Sequence, residues 1–255
     1  MPMSRSSSNA SRARRATKGG SLFRRPRHRL VEQVLTCLDA ELLARHRCYF
    51  GGGTAIVLQR DEYRESLDID FLVSDVDGYR ELRRLVTGEA GVNGLTMRDC
   101  ELRVLRPVRA DQYGLRTFLE VEGEAVKFEI VFEGHLALDM PSANEHVCGV
   151  WTLAMVDAAA CKLLANADRW ADPSVWNRDV IDLAMLQAPI DVFDAAVAKA
   201  ARAYGDAVVR CLNAAVDHLC ADDSQRLRRA MAALQVDVPE DYLRQRITAL
   251  RRGSA

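Results

Sequence analysis

The seven residues from Leu67 to Val73 restrict this chain more than any others. Leu67, Ile69, Phe71 and Val73 alternate with Asp68, Asp70 and Leu72, the period-two pattern of a strand with one face in a core. Both aspartates then leave the same face, roughly 6 to 7 Å apart. Upstream, Gly51, Gly52 and Gly53 make a turn whose backbone can approach a ligand closely, and the apolar run Ala55, Ile56, Val57, Leu58 places a helix start at Thr54. Unpaired N–H groups at such a start suit a phosphate, and two carboxylates at this spacing suit a pair of magnesium ions about 4 Å apart. Together they form a layout for handling a nucleotide. A second acid pair, Asp75 and Asp77 before Gly78, reads instead as a solvated turn.

In chain order, Gly52-Gly53-Thr54-Ala55, a short helix, then Arg64, Ser66, Asp68, Ile69 and Asp70 resembles the signature of the AbiEii/AbiGii-type nucleotidyltransferase toxins, approximately G-G-T-A-L followed by R-x-S-x-D-I-D. A second stretch resembles the same family: Lys162 in DAAACKLLANADRW, followed by Arg178, Asp179, Asp182 and Leu183 in NRDVIDLAML. The resemblance covers roughly residues 49 to 186 and leaves the C-terminal remainder unassigned. It implies an α+β chain with a nucleotidyltransferase-like mixed or antiparallel sheet core, flanking helices and a C-terminal helical bundle. It also implies a magnesium-dependent transferase in which a hydroxyl attacks the α-phosphorus of a nucleoside triphosphate and pyrophosphate leaves.

On that reading Asp68 and Asp70 hold two magnesium ions, Glu129 completes the metal set, and Gly52, Gly53 and Thr54 bind the β and γ phosphates. Lys162 neutralises triphosphate charge, and Arg64 and Ser66 stand near the γ-phosphate. Asp179 and Asp182, three apart on one helix face, orient the lysine, the base or the ribose, or form structural ion pairs with Arg169 or Arg178. Ser66 is either a turn-former or a place where added phosphate would set like charge beside the metals. The resemblance implies the toxin of a toxin–antitoxin or phage-defence pair, an antitoxin protein as partner, and an RNA 3′ end, such as that of tRNA, as acceptor. Two alternatives stay open: transfer to a protein hydroxyl, and a nucleotide- or partner-binding module without catalysis. The close acidic pair argues against the last, because two repelling charges gain nothing without a metal.

With 255 residues, 49% of them hydrophobic, the chain can bury an ordinary core as one large domain or two small ones. No apolar run approaches the roughly 18 residues that span a bilayer, so no membrane role and a cytoplasmic location are expected. Seven scattered cysteines without a C-x-x-C pair fit a reduced compartment, with Cys161 and Cys211 as small core side chains. No histidine stands at metal spacing, which makes zinc unexpected. The first 29 residues hold nine arginines and lysines and no acid, leaving the rest acidic by about ten charges. Residues 1 to 28 are expected to be disordered; an arm along RNA phosphates, a non-functional extension and a transit-peptide mimic compete to explain them. Only Lys18, Lys127, Lys162 and Lys199 are lysines, so the arginine excess reflects composition, while each lysine marks a place suited to a compact point charge.

Residues 29 to 150 are expected to form the nucleotidyltransferase core and 151 to 255 a helical domain. A helix is predicted over 29 to 47 and another ending near Gly88, followed by strands over 101 to 108, 115 to 122 and 126 to 133, the last two joined by a tight turn at Glu122, Gly123 and Glu124. On the last strand Val126, Phe128, Ile130 and Phe132 share one face; Lys127, Glu129 and Val131 share the other. If both strands turn their apolar face to one core, Glu129 joins Asp68 and Asp70; otherwise Lys127 and Glu129 are the wet face of an antiparallel sheet. From Trp151 the period is helical, with Pro173 and Pro189 bounding one segment and Pro239 opening the final helix.

Overall fold

The computed structural model describes residues 21–221 and 225–253. Most of the basic stretch, residues 1 to 20, and the disorder expected of it lie outside the described residues. Residues 21 to 28 do not behave as tail. Helix α1 (Pro26–Cys37) begins with proline in its first turn, where the missing N–H is harmless. Just before it, the backbone N–H groups of Arg24 and Arg25 donate to the Glu62 carboxylate at 2.8 and 2.9 Å. The single helix expected over 29 to 47 is two, because Asp39 accepts the Leu42 N–H at 2.9 Å and starts α2 (Ala40–Arg45) afresh.

The sheet core follows. Strand β1 (Cys48–Gly51) runs into helix α3 (Gly52–Gln59), then β2 (Ile69–Val73) and α4 (Val76–Thr87). The expected solvated turn at Asp75 and Asp77 is instead the start of α4, where Asp75 accepts the Gly78 N–H at 2.6 Å. The predicted strand over 101 to 108 shrinks to the short pieces β3 (Arg103–Val104) and β4 (Arg109–Ala110), with Pro107, which lacks an N–H for the ladder, between them. The expected hairpin is present as β5 (Gly114–Val121) and β6 (Glu124–Phe132), turning through Glu122 and Gly123, both at positive φ. The sheet order is β1-β2-β6-β5-β3, with β4 also on β5. Among the strand pairs of this sheet β2 and β6 run parallel and the others antiparallel, which makes the sheet mixed. A small hairpin, β7 (His146–Val147) and β8 (Val150–Trp151), precedes the helices.

The remainder is helical as expected: α5 (Met155–Arg169), α6 (Arg178–Leu186), α7 (Ile190–Tyr204), α8 (Ala207–Cys220), α9 (Arg226–Ala233) and α10 (Glu240–Thr248). Pro189 and Pro239 stand immediately before α7 and α10. Among the described residues no helix is long and apolar enough to cross a membrane. Two large cores result. Val34, Phe50, Phe71, Leu82, Leu119 and Ile130 belong to the sheet core, while Leu163, Ile181, Phe193, Leu212 and Ile247 belong to the helical one. Helix α3 serves both, with Ala55 and Leu58 in the first and Ile56 and Val57 in the second.

Cysteine pairing corrects the sequence reading. Cys37, ending α1, and Cys100 are disulfide-bonded with Cα atoms 5.5 Å apart, although 63 positions separate them. Cys48, Cys148, Cys161, Cys211 and Cys220 are free, and Cys161 and Cys211 are only partly buried.

Candidate active site

The glycine turn lies directly against Asp70. Gly51 pairs with Asp70 across β1 and β2, and α3 begins at Gly52, two residues earlier than the expected Thr54. No side chain caps this helix start, so its first N–H groups have no partner within the helix. Gly52 has φ +67°, and a Cβ there would stand 2.5 Å from Asp70 Oδ2; one on Gly53 would meet Arg64 Nη2 at 2.3 Å and Asp182 Oδ2 at 3.0 Å. The turn is therefore wedged between the acid and an ion pair, and only glycine fits. We expect Gly52→Ala to lower catalytic turnover by about 10²-fold while the chain stays folded, on the scale by which misplacing reacting groups slows a reaction. Steady-state kinetics beside a circular dichroism melt checks this; undiminished turnover would show that the turn does not set the position of Asp70.

One wall of the cleft is acidic. Asp68 is exposed and lies one residue before β2 rather than within it, because the strand ladder starts at Ile69. Asp70 is partly buried and stands beside Glu129 in the parallel register of β2 and β6, so these two side chains share a face. Burial pushes the Asp70 carboxyl up to about 6, and the charge of Asp68 adds to this; Lys127 pulls it down, while Glu129 pushes the same way as Asp68. Glu129 is already balanced, with Lys127 Nζ at 2.6 Å and Arg116 Nε at 3.1 Å. It thus sits on the site face with a polar network of its own. Among the described residues no three acids, cysteines or histidines converge as a ready-made metal cage. The donor set nevertheless fits magnesium: Asp68 and Asp70, which both line the cleft, offer hard carboxylate oxygens.

The opposite wall is cationic and comes from α5, α6 and the segment between α3 and β2. Lys162 on α5 is buried, and its ammonium binds Asp179 Oδ1 at 2.9 Å and Asp182 Oδ2 at 2.7 Å. Arg64 grips Asp182 with Nε at 2.7 Å and Nη2 at 2.9 Å, and its Nη1 reaches the Glu65 carbonyl at 2.7 Å. Tyr63 adds its hydroxyl to Asp182 at 2.6 Å, and Arg169 forks onto Asp179 at 2.7 and 2.9 Å. Burial opposes ionisation of Asp182, yet Arg64 and Lys162 outweigh it and hold the carboxyl below the usual range. Three cations face two carboxylates, so the wall keeps one positive charge in excess. Lys162 has three N–H donors and two carboxylate partners, which leaves one for the cleft it lines.

These walls enclose a cleft of about 390 Å³, lined by Gly52, Gly53, Thr54, Arg64, Ser66, Asp68, Asp70, Glu129 and Lys162 together with Lys127. Asp179 and Asp182 do not line it; they stand behind the cations, with Asp179 bound to Arg169 and not to Arg178. A larger hollow of about 950 Å³ lies between α1, the end of α3 and the β7–β8 hairpin. Its acids, Glu32 and Glu145, are occupied by nearby backbone and hydroxyl groups.

Sequence reading missed the supports of Ser66. Its hydroxyl meets that of Thr54 at 2.7 Å, and its N–H donates to His28 Nε2 at 3.2 Å. Burial lowers the His28 pKa, so the ring is neutral with Nδ1–H donating to Glu62 at 2.8 Å. Nothing in the sequence marked this, because His28 lay inside the expected tail and Glu62 inside a polar turn.

A sequence model of the family described as nucleotidyl transferase AbiEii toxin, type IV toxin–antitoxin system, matches residues 33–252. Two solved structures resemble the chain. One is of a candidate nucleotidyltransferase from H. pylori, with 15% identity, 88% of this chain and 92% of that chain covered, and a TM-score of 0.47. The other is JHP933 from Helicobacter pylori, with 15% identity, coverage of 88% and 90%, and a TM-score of 0.48. No curated protein matches the sequence.

Proposed function

This chain belongs to the AbiEii family of nucleotidyl transferase toxins, and from that premise we propose that it moves a nucleotide from a nucleoside triphosphate, with magnesium, to the 3′ hydroxyl of an RNA such as tRNA. In this reading the protein acts in the cytoplasm and a cognate antitoxin restrains it, within a toxin–antitoxin or phage-defence pair. The observation that carries the reading is the two-sided cleft, with a glycine turn and a helix start between an acidic wall and a cationic one.

Each residue then has a task. The N–H groups at Gly52, Gly53 and Thr54 receive β and γ phosphate oxygens, and the Lys162 ammonium, held by its two aspartates, offsets triphosphate charge from the other side. Asp68 and Asp70 would hold magnesium, which when bound supplies charge stabilisation to the attacking and leaving oxygens. Glu129 stands next to Asp70, where it can orient the attacking hydroxyl and accept its proton. Arg64 fixes α6 to the approach of β2, and Ser66 braces Thr54 at the head of α3.

Incubation with α-labelled nucleoside triphosphates, magnesium, tRNA and a partner protein tests the assignment. We expect label at the RNA 3′ end with one pyrophosphate released per transfer. Label on protein would replace this with the protein-hydroxyl alternative, and absence of pyrophosphate would leave a binding module.

A further inference from the structure

We propose that the open face of β4, β5 and β6 is the path along which a single-stranded RNA 3′ end reaches Glu129; this rests on RNA being the acceptor. The register sets the path. Arg109 on β4 pairs with Arg116 on β5, which pairs with Glu129 on β6, and Phe118 pairs with Lys127. Paired residues point to one face, so Arg109, Arg116 and Phe118 leave the sheet on the side of Glu129. Two strand spacings, about 10 Å, carry that row away from the acidic wall. A hollow of about 190 Å³ lies along it, and Lys127 and Glu129 line both that hollow and the catalytic cleft.

The chemistry of this face suits one partner. Phe118, on the polar side of the sheet, is only partly buried, and the Arg106 guanidinium lies over its ring at 4.8 Å. Arg106 and Arg109 are exposed and have no carboxylate partner among the described residues, whereas Arg103 and Arg116 pair with Glu120 and Asp111. Uncompensated arginines stand out because the chain beyond its basic start is acidic by about ten charges. Leu105 and Tyr113, on the segments that flank β4, are exposed as well. Flat ring and guanidinium faces that stack bases, beside fixed cations that follow phosphates, are what an unpaired strand requires. A duplex would present phosphates but no free base faces.

The test reads binding without turnover. A fluorescent single-stranded RNA of about a dozen nucleotides, within the usual site size, is titrated with the full chain across salt concentrations. We expect the double variant Arg106→Ala with Arg109→Ala to bind at least tenfold more weakly, with the slope of log affinity against log salt reduced by about 1.4, as loss of two single-strand phosphate contacts requires. Phe118→Leu should weaken binding with little change in slope. Nucleoside triphosphate affinity, measured by calorimetry, should stay as in the unaltered chain and certifies a folded site. Unchanged RNA affinity and slope in the double variant would overturn the path. So would loss of labelling of a protein acceptor in variants that still bind RNA normally. A chain that labels no RNA but loses RNA affinity in these variants would uphold an RNA-binding face and overturn both 3′-end transfer and the delivery of a 3′ end to Glu129.

Discussion

Replacing Asp70 by alanine should lower magnesium-dependent pyrophosphate release by about 10²- to 10³-fold, the scale on which removing a fixed partner of the transition state acts. Its partner variant, Asp70→Asn, should lose activity to a similar degree yet gain stability in metal-free buffer at neutral pH. The sign follows from the carboxyl being raised to about 6 by burial and then by Asp68. A raised acid contributes stability below its ordinary pKa and loses it as pH climbs through the folded value. Metal-free chain should therefore weaken between about pH 4 and pH 7, by an upper bound of about 3 kcal/mol. Asparagine removes that dependence, so its advantage should appear in melts at pH 7.5 and vanish at pH 4. Magnesium should raise the melting temperature of the unaltered chain at neutral pH but not that of the asparagine variant, since only the former has the ligand. Undiminished pyrophosphate release from Asp70→Ala, or equal magnesium shifts in both proteins, would remove Asp70 from the metal site.

The largest loss of stability is expected at Asp182, which the cleft does not expose. This fully buried carboxylate takes bonds from Tyr63, Arg64 and Lys162. With Asp182→Ala the guanidinium loses both of its acidic contacts and the ammonium loses one of two, in a place where water cannot replace them. Breaking one side of a buried ion pair costs about 3–5 kcal/mol, a large part of the 5–15 kcal/mol that holds a typical domain. Asp179→Ala should cost less, because Arg169 is about a third exposed and Lys162 keeps Asp182. Urea unfolding of the two variants side by side measures this. A loss under about 1 kcal/mol for Asp182→Ala would mean that the arginine and lysine find other partners.

How far the sequence carried these conclusions depended on the distance between interacting residues. The Asp70 strand, the glycine turn and the β5–β6 hairpin were legible because alternation and turn chemistry are local. That Glu129 joins Asp70 followed from one assumption, a common core beneath both strands, which the parallel pairing of β2 with β6 fulfils. The cationic wall was only half legible. Lys162, Asp179 and Asp182 stood out as a spaced group, but the guanidinium that completes it, Arg64, lies 118 positions before its aspartate, beyond any periodicity. The bond between Cys37 and Cys100 escaped for the same reason. Helix α1 began earlier than expected because its start is fixed by Glu62, a residue in another segment, and not by a cap within reach of the chain.

Helix α3 lends consecutive side chains to two different interiors, Ala55 and Leu58 to one, Ile56 and Val57 to the other. It works as a shared keystone: neither half can loosen without unseating the wedge between them, so the halves should melt together. A guest gripping the head of that wedge would brace the whole arch at a single point, and protection from hydrogen exchange would spread on both sides of it.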